Sequence, residues 1–134
     1  MPRTDELDEF TRAYVETALW SSTDGDDVPL DKDHSAADID DDSLAAMIAD
    51  CRKFQDDNRA LIQKAIDSGA VKSGPDYGPW ARAGHDFWLT RNGAGAGFWD
   101  GDWPEEDGAK LTEAAKAFRE CYLSCCPGGT VTLC

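Results

Sequence analysis

The fold of this chain depends most on the stretch HDFWLTRNGAGAGFWD, which runs from His85 to Asp100. Asn92-Gly93 lies at its centre, and this dipeptide is typical of a type I′ turn because both turn residues need positive φ. Side chains on either side of it alternate between two faces, as they do in a β-strand. The stretch therefore predicts a β-hairpin with His85 opposite Asp100. A longer loop from Asn92 to Gly97 is the alternative, and it would place Leu89 opposite Asp100.

Tryptophan is concentrated in and around this stretch. In the predicted hairpin Trp88 and Trp99 share one face, and Trp103 follows it. A small sheet covered on one side cannot bury both faces, so these rings either pack under Tyr77 and Trp80 or form an exposed patch. Exposed tryptophan with an acidic rim is typical of a protein-binding hot spot. Trp88, Trp99 and Trp103 are therefore candidate contacts for a partner protein.

The same stretch resembles the mark of a family of small, uncharacterised bacteriophage and mobile-element proteins, HDFWLTRNGxGAGFWD. The resemblance covers most of the chain up to about Glu120 and includes three further segments, residues 10–20, 51–55 and 111–118. Family members usually carry His or another residue where this chain has Ala94. Their tails tend to be a Tyr-rich strand pair, whereas this chain has Cys125–Gly129 there. The resemblance implies a phage origin and does not imply a particular reaction.

The chain is strongly acidic, since 27 Asp and Glu against 13 Lys and Arg give a net charge of −14. Such a surface repels phosphates, so direct nucleic-acid binding is disfavoured. The charge fits a solvated surface, steering onto a basic partner protein, or salt adaptation with weak binding of divalent ions. Much of it lies in a predicted acidic loop, residues 21–42. The acidic residues predicted to contact a basic partner are Asp24, Asp26, Asp27, Asp40, Asp41 and Asp42.

Motifs for metals and cofactors are weak in this chain. Asp24–Asp27 and Asp31–Asp33 do not match the EF-hand loop, so a solvated loop is preferred over a calcium site. The five cysteines are an odd number, which argues against a disulfide framework. The spacing from Cys121 to Cys134 contains no C-x2-C pair, so reduced thiols are preferred over a zinc site. No metal and no cofactor is therefore predicted.

Helical periodicity is clearest in the first half of the chain. A first helix is predicted from about Thr4 or Asp5 to Trp20. The longest helix is predicted at about residues 43–67, where apolar residues recur at steps of three and four, and a break near Asp56-Asp57 is the alternative. This apolar stripe either packs against the chain's own sheet and first helix or forms a dimer seam in which Asn58 fixes the register.

The second half is predicted to contain a connector, a helix and another hairpin. The connector is Gly/Pro-rich and covers residues 68–84. Pro104 followed by acidic residues is typical of a helix start, and a hairpin is predicted near 121–134. With the hairpin near 85–100 it would form a small antiparallel sheet. The predicted fold is thus a single α+β domain, residues 1–134, with two or three helices packed on that sheet.

Motifs for catalysis are also weak. His85 opposite Asp100 would be the orienting half of a nucleophilic triad, but a cross-strand ion pair is the simpler interpretation. The glycines from Gly93 to Gly97 lack the Lys-Ser/Thr ending of a phosphate-binding loop and precede a predicted strand.

The absence of catalytic motifs favours a non-enzymatic phage accessory protein that binds and inhibits a host protein. A nucleic-acid-handling defence complex of the CRISPR or restriction type is the expected class of target. No segment has the length of a membrane span, so we expect the protein in the bacterial cytoplasm, as a monomer or homodimer and without a membrane partner. A small hydrolase that uses His85 with Asp100 and a regulatory homodimer formed through the long helix are the alternatives.

Overall fold

The computed structural model of the protein describes residues 7–22, 29–35, 38–69, 71, 78–93, 97–98, 103–125 and 130–133, with only the backbone at positions 31, 33 and 125. Its elements are α1 (Glu9–Ser21), α2 (Leu30–Asp33), α3 (Asp41–Asp67), α4 (Pro79–Arg91), α5 (Glu105–Lys116), β1 (Leu123–Cys125) and β2 (Val131–Leu133). The architecture is a mostly helical α+β fold. Within these residues, no helix has both the length and the apolar composition that crossing a membrane requires.

The hairpin predicted from His85 is wrong, because this part of the chain forms α4. Asn92 caps the helix at its C-terminus, and Gly93 follows with φ 67°. A residue with positive φ ends many helices and also builds a type I′ turn, so Asn-Gly is compatible with both structures. α4 is buried around most of its circumference, so its sequence lacks the one-sided apolar stripe that usually identifies a helix. Asp100 lies outside the described residues.

α3 confirms the longest predicted helix and continues through Asp56-Asp57 without a break. Its apolar stripe is covered by the chain's own core, where Phe54 stacks on Phe87 with ring centroids 4.2 Å apart. The side-chain amide of Asn58 donates a hydrogen bond to the Phe54 carbonyl oxygen at 2.9 Å, within the same helix. Of the two interpretations of the stripe, the structure therefore shows packing within the chain.

α1 and α5 correspond to predicted helices. α1 begins at Glu9, with Asp8 as its N-cap, whereas the predicted start at Thr4 or Asp5 lies outside the described residues. α5 begins directly after Pro104 and carries acidic residues in its first turn. These carboxylates lie at the positive end of the helix dipole, which is why the sequence signal was informative.

The predicted acidic loop and connector both contain helical residues. α2 lies inside the range 21–42, and the side chains of Leu30 and Ile39 are buried in the core. The backbone of Ile39 also forms an isolated parallel bridge with Val131. The connector predicted at 68–84 ends before Pro79, where α4 begins. Two buried apolar side chains therefore tie the acidic segment to the body of the protein.

The C-terminal hairpin is confirmed. β1 and β2 pair antiparallel, with Leu123 opposite Leu133 and Cys125 opposite Val131. Within the described part of the chain they form a two-stranded sheet, because the stretch expected to extend it is α4. The backbone N–H of Leu133 donates to the Ser43 hydroxyl oxygen at 2.9 Å, which fastens β2 to the first turn of α3.

α1 and α4 cross at a very short distance. A Cβ atom built on Gly84 would overlap the carbonyl oxygen of Phe10 and would lie 2.9 Å from its carbonyl carbon. Ala81 and Ala83, which flank this position on α4, are also buried. A helix backbone cannot move aside as a flexible side chain can, so this crossing requires a glycine.

Arg91 is a buried charge at the end of α4. Its guanidinium lies 5.6 Å from the ring centroids of both Phe87 and Phe118. Its hydrogen bonds go to Tyr14 Oη at 3.0 Å, Asp50 Oδ2 at 2.9 Å, and the carbonyl oxygens of Phe118 and Arg119, both at 2.8 Å. These acceptors belong to α1, α3 and the segment after α5, so one side chain connects three parts of the fold to α4.

Gly84→Ala should destabilise the protein by about 1–3 kcal/mol, because the added methyl group pushes α1 and α4 apart. Helix propensity alone predicts the opposite sign, a gain of about 1 kcal/mol. Urea denaturation followed by circular dichroism measures the difference. Ala45→Gly on the exposed face of α3 is the control for propensity. A Gly84→Ala variant that is more stable than the wild type would contradict the close crossing.

Arg91→Lys should lower the free energy of unfolding by about 3 kcal/mol. Lysine keeps the charge but cannot satisfy this set of acceptors, which leaves buried carbonyl groups without donors. Arg119→Lys is the matched control, because its side chain is exposed and its backbone carbonyl is unchanged; it should stay within about 0.5 kcal/mol of the wild type. Equal urea midpoints for the two variants would contradict the role assigned to Arg91.

Candidate functional site

Two of the predicted contact residues, Trp88 and Trp103, are buried. Trp88 packs edge-on against Tyr14 with ring centroids 5.3 Å apart, and Trp103 lies 5.1 Å from Phe98. Their exposed fractions are 2% and 4%, so the expectation of an exposed patch is wrong for these two rings. The reason is that α4 lies inside the core, whereas a hairpin would have left one face uncovered. Trp99 lies outside the described residues.

Trp20 and Tyr122 are the large hydrophobic residues that the described part of the chain leaves exposed, at 45% and 50%. Trp20 is near the end of α1, and its ring lies 5.8 Å from that of His85. Tyr122 directly precedes β1. Neither residue was predicted from the sequence as a contact for a partner. For Trp20 a signal existed, because it lies off the apolar stripe of the first helix.

A groove of about 300 Å³ is formed where the end of α1, α4 and the start of β1 meet. Its lining residues are Ser21, Ser22, Trp88, Leu89, Asn92, Tyr122 and Leu123. His85, Leu89 and Asn92 are spaced by four and three residues on α4 and so share one helix face. This face leads from Trp20, beside His85, to Tyr122. We call the groove together with Trp20 and Tyr122 the aromatic groove.

Hydrogen bonds from α4 hold both walls of the aromatic groove. The indole N–H of Trp88 donates to Ser21 Oγ at 2.7 Å, which fixes the end of α1. The side-chain oxygen of Asn92 accepts from the backbone N–H of Cys121 at 2.7 Å, which fixes the residue before Tyr122. Asn92 Nδ2 also donates to the Trp88 carbonyl oxygen at 3.0 Å. The two exposed aromatic residues are therefore carried by segments that the core holds in place.

His85 pairs with Asp86, its neighbour in α4. Its Nδ1 lies 2.8 Å from Asp86 Oδ1, and the Asp86 side chain is only 1% exposed. The other carboxylate oxygen of Asp86 accepts the indole N–H of Trp103 at 2.6 Å. A buried carboxylate on Nδ1 fixes the tautomer and orientation of an imidazole. The predicted partner, Asp100, lies outside the described residues, and the predicted cross-strand pairing of His85 is wrong because His85 lies in α4.

The acidic residues predicted as contacts differ in their places in the structure. Asp24, Asp26 and Asp27 lie outside the described residues. Asp41 and Asp42 are exposed in the first turn of α3.

Asp40, unlike Asp41 and Asp42, has a structural role as the N-cap of α3. It accepts the Ser43 backbone N–H at 2.6 Å and the Thr132 hydroxyl at 2.9 Å. These hydrogen bonds, first of all that of the Ser43 backbone, lower the pKa of Asp40.

A second cleft, of about 320 Å³, lies between the start of α1 and α3. Two of its carboxylates, Asp8 and Asp56, already have hydrogen-bond partners. Arg59 contacts Asp56 at 2.9 Å, and the Gln55 amide donates to Asp8 Oδ2 at 3.2 Å. The cleft is lined by Arg52 in addition, so two guanidinium groups face two carboxylates. Because its charges balance, this cleft favours no charged ligand, and the aromatic groove is the stronger candidate.

A metal site needs at least three ligating side chains close together. Within the described ranges, no three His, Cys, Asp or Glu side chains lie close enough together to hold a metal ion. Cys51 and Cys121 are buried thiols, and desolvation raises the pKa of both. Cys126 and Cys134 lie outside the described residues. The thiols that are described thus act as small core side chains.

Comparisons of the chain with models of known protein families, with curated proteins and with solved structures found no match.

Asp40→Asn should lower the free energy of unfolding at neutral pH and should lower it much less in acid. The folded-state pKa of Asp40 is lowered, so its carboxylate stabilises the fold above the ordinary pKa of 3.8, and this contribution is lost as the pH falls through the folded-state value. Asparagine is still a good N-cap, so only the charge-dependent part changes.

Urea midpoints at neutral pH and at about pH 3 measure this effect. Asp42→Asn is the matched control, because it removes the same charge from the same helix end at an exposed side chain. The two variants should differ clearly at neutral pH and converge in acid. An identical pH dependence of both variants would contradict the capping role of Asp40.

Proposed function

We propose that the protein is a non-enzymatic phage accessory protein that binds and inhibits a host protein through its acidic surface. The expected target is a protein with a basic surface, of the kind found in nucleic-acid-handling defence complexes of the CRISPR or restriction type. The protein would act inside the bacterial host, by occupying a surface on which the target otherwise holds nucleic acid.

The observation that carries this proposal is the large surplus of negative charge. A net charge of −14 is far more than the solubility of a domain this small requires. Asp41 and Asp42 present part of it to solvent on a rigid helix end. Complementary charge accelerates association and selects partners of opposite sign, and it repels nucleic acid itself. A basic protein surface is therefore the chemistry that best fits this chain.

One observation favours an alternative function, that of a small hydrolase. The buried carboxylate of Asp86 lies on Nδ1 of His85, as in the orienting half of a triad. This carboxylate takes the place that the sequence analysis gave to Asp100. Asp86→Asn separates the two functions, because it would disable the imidazole of a hydrolase and leave an acidic binding surface unchanged.

The proposal is tested in bacteria that each carry one CRISPR or restriction system active against a test phage. Expression of the chain should raise the plating efficiency of that phage toward its value in a strain without the system. A variant with both Asp41→Asn and Asp42→Asn should restore plating less well, because the on-rate for a basic target falls with the charge.

Controls make the result specific. Ala46→Gln changes an exposed neutral residue on α3 and should restore plating as the wild type does. Asp86→Asn should also restore it, provided that its urea midpoint shows a folded protein. If the wild type restores plating in none of the strains, the proposed inhibition of these defence systems is refuted. Loss of rescue in a folded Asp86→Asn variant would favour the hydrolase.

A further inference from the structure

We propose that the aromatic groove binds a basic segment of the partner protein, with arginine or lysine side chains lying over the rings of Trp20 and Tyr122. The inference rests on the proposed function, because it names the surface that would hold a basic target. It differs from the acidic residues in the first turn of α3, which attract the partner but form no groove.

Exposed aromatic rings are the first observation behind this inference. The other large apolar side chains among the described residues are buried or partly buried, whereas Trp20 and Tyr122 leave about half of their surface to solvent. The faces of indole and phenol rings carry partial negative charge and attract cations. Each such contact is worth about two- to fivefold in affinity at an exposed site.

Acidic side chains at both ends of the groove are the second observation. Glu16 is exposed on α1, one helical turn before Trp20. At the other end, Glu120 is exposed and contacts Tyr122; partial desolvation and this carboxylate together raise the pKa of the phenol. Among the residues of the described structure that line the groove, there is no Lys or Arg. A cation bound over either ring would therefore have a carboxylate beside it.

The length of the groove suggests the spacing of the basic residues. Asn92, the C-cap of α4, lies seven positions after His85, so at a rise of about 1.5 Å per residue the two ends of this face are about 10 Å apart. In a polyproline II segment, residues three positions apart lie on the same side and about 9 Å apart. Two basic residues with two residues between them would thus reach both rings.

A second copy of the chain is a less suitable occupant. Each copy carries a net charge of −14, so two copies repel each other strongly. The carboxylates of Glu16 and Glu120 would meet the acidic surface of the second copy. The groove is also partly polar, since Ser21, Ser22 and Asn92 line it, so a purely apolar helix would match it poorly.

The experiment uses the full chain and a short synthetic peptide in which two arginines flank two prolines. The control peptide has citrulline in place of arginine, which keeps the shape and removes the charge. Heteronuclear NMR should show that the arginine peptide shifts the indole N–H signal of Trp20, assigned with Trp20→Phe, and the amide of Tyr122. Fluorescence anisotropy should give a Kd for the arginine peptide and much weaker binding of the citrulline peptide.

Variants distinguish the groove from general attraction to an acidic protein. Trp20→Ala and Tyr122→Ala should each weaken binding about two- to fivefold, whereas Tyr122→Phe keeps the ring and should bind nearly as well as the wild type. Asp57→Asn removes an exposed charge that does not line the groove and should leave the shifts of Trp20 and Tyr122 in place. An unchanged Kd in both alanine variants would overturn the inference. Signal shifts confined to the first turn of α3, or a dimer mass with shifts in the groove, would also overturn it.

The two proposals fail in different ways. If the wild type restores phage plating and Trp20→Ala with Tyr122→Ala restores it equally well, the groove proposal fails and the proposed function stands. If the wild type restores no plating but binds the arginine peptide through both rings, the proposed function fails and the groove remains a binding site for basic segments.

Discussion

The arrangement of this protein depends on one buried positive charge. The Arg91 guanidinium is removed from water between Phe87 and Phe118, which costs several kcal/mol unless acceptors replace the lost water. Tyr14 and Asp50 supply two of these acceptors, and the segment after α5 supplies two carbonyl oxygens. Because a guanidinium is planar and rigid, each acceptor has to keep its place.

The turn after α5 follows from the same requirement. Arg119 has φ 67°, which is uncommon for a residue other than glycine. It occurs where the carbonyl oxygens of two consecutive residues turn toward Arg91. The backbone strain at this position is offset by charge-assisted hydrogen bonds, which are stronger than neutral ones. The path of the chain from α5 to β1 is thereby set by a residue on α4.

The residues next to Arg91 extend this role to the surface. Trp88 fixes the end of α1 through Ser21, and Asn92 fixes the segment before β1 through Cys121. The core and the aromatic groove therefore share one set of supports. Attraction by the overall negative charge acts over several ångströms and selects the sign of a partner, whereas a groove with two fixed rings acts only on contact and selects its shape. In the proposed function, the overall charge would attract a basic surface and the groove would hold it.

The sequence by itself determined the elements whose signals are one-sided. The long apolar stripe on α3 and the acidic residues after Pro104 placed two helices correctly, and the hairpin predicted near 121–134 contains β1 and β2. Only the tertiary structure decided whether the stretch from His85 is a helix or a hairpin. Asn-Gly is compatible with both a helix end and a tight turn, and a helix that is buried on most sides has no one-sided apolar stripe. The tertiary structure also decided which tryptophans reach solvent, because exposure depends on what covers a side chain, and those covering residues are distant in sequence.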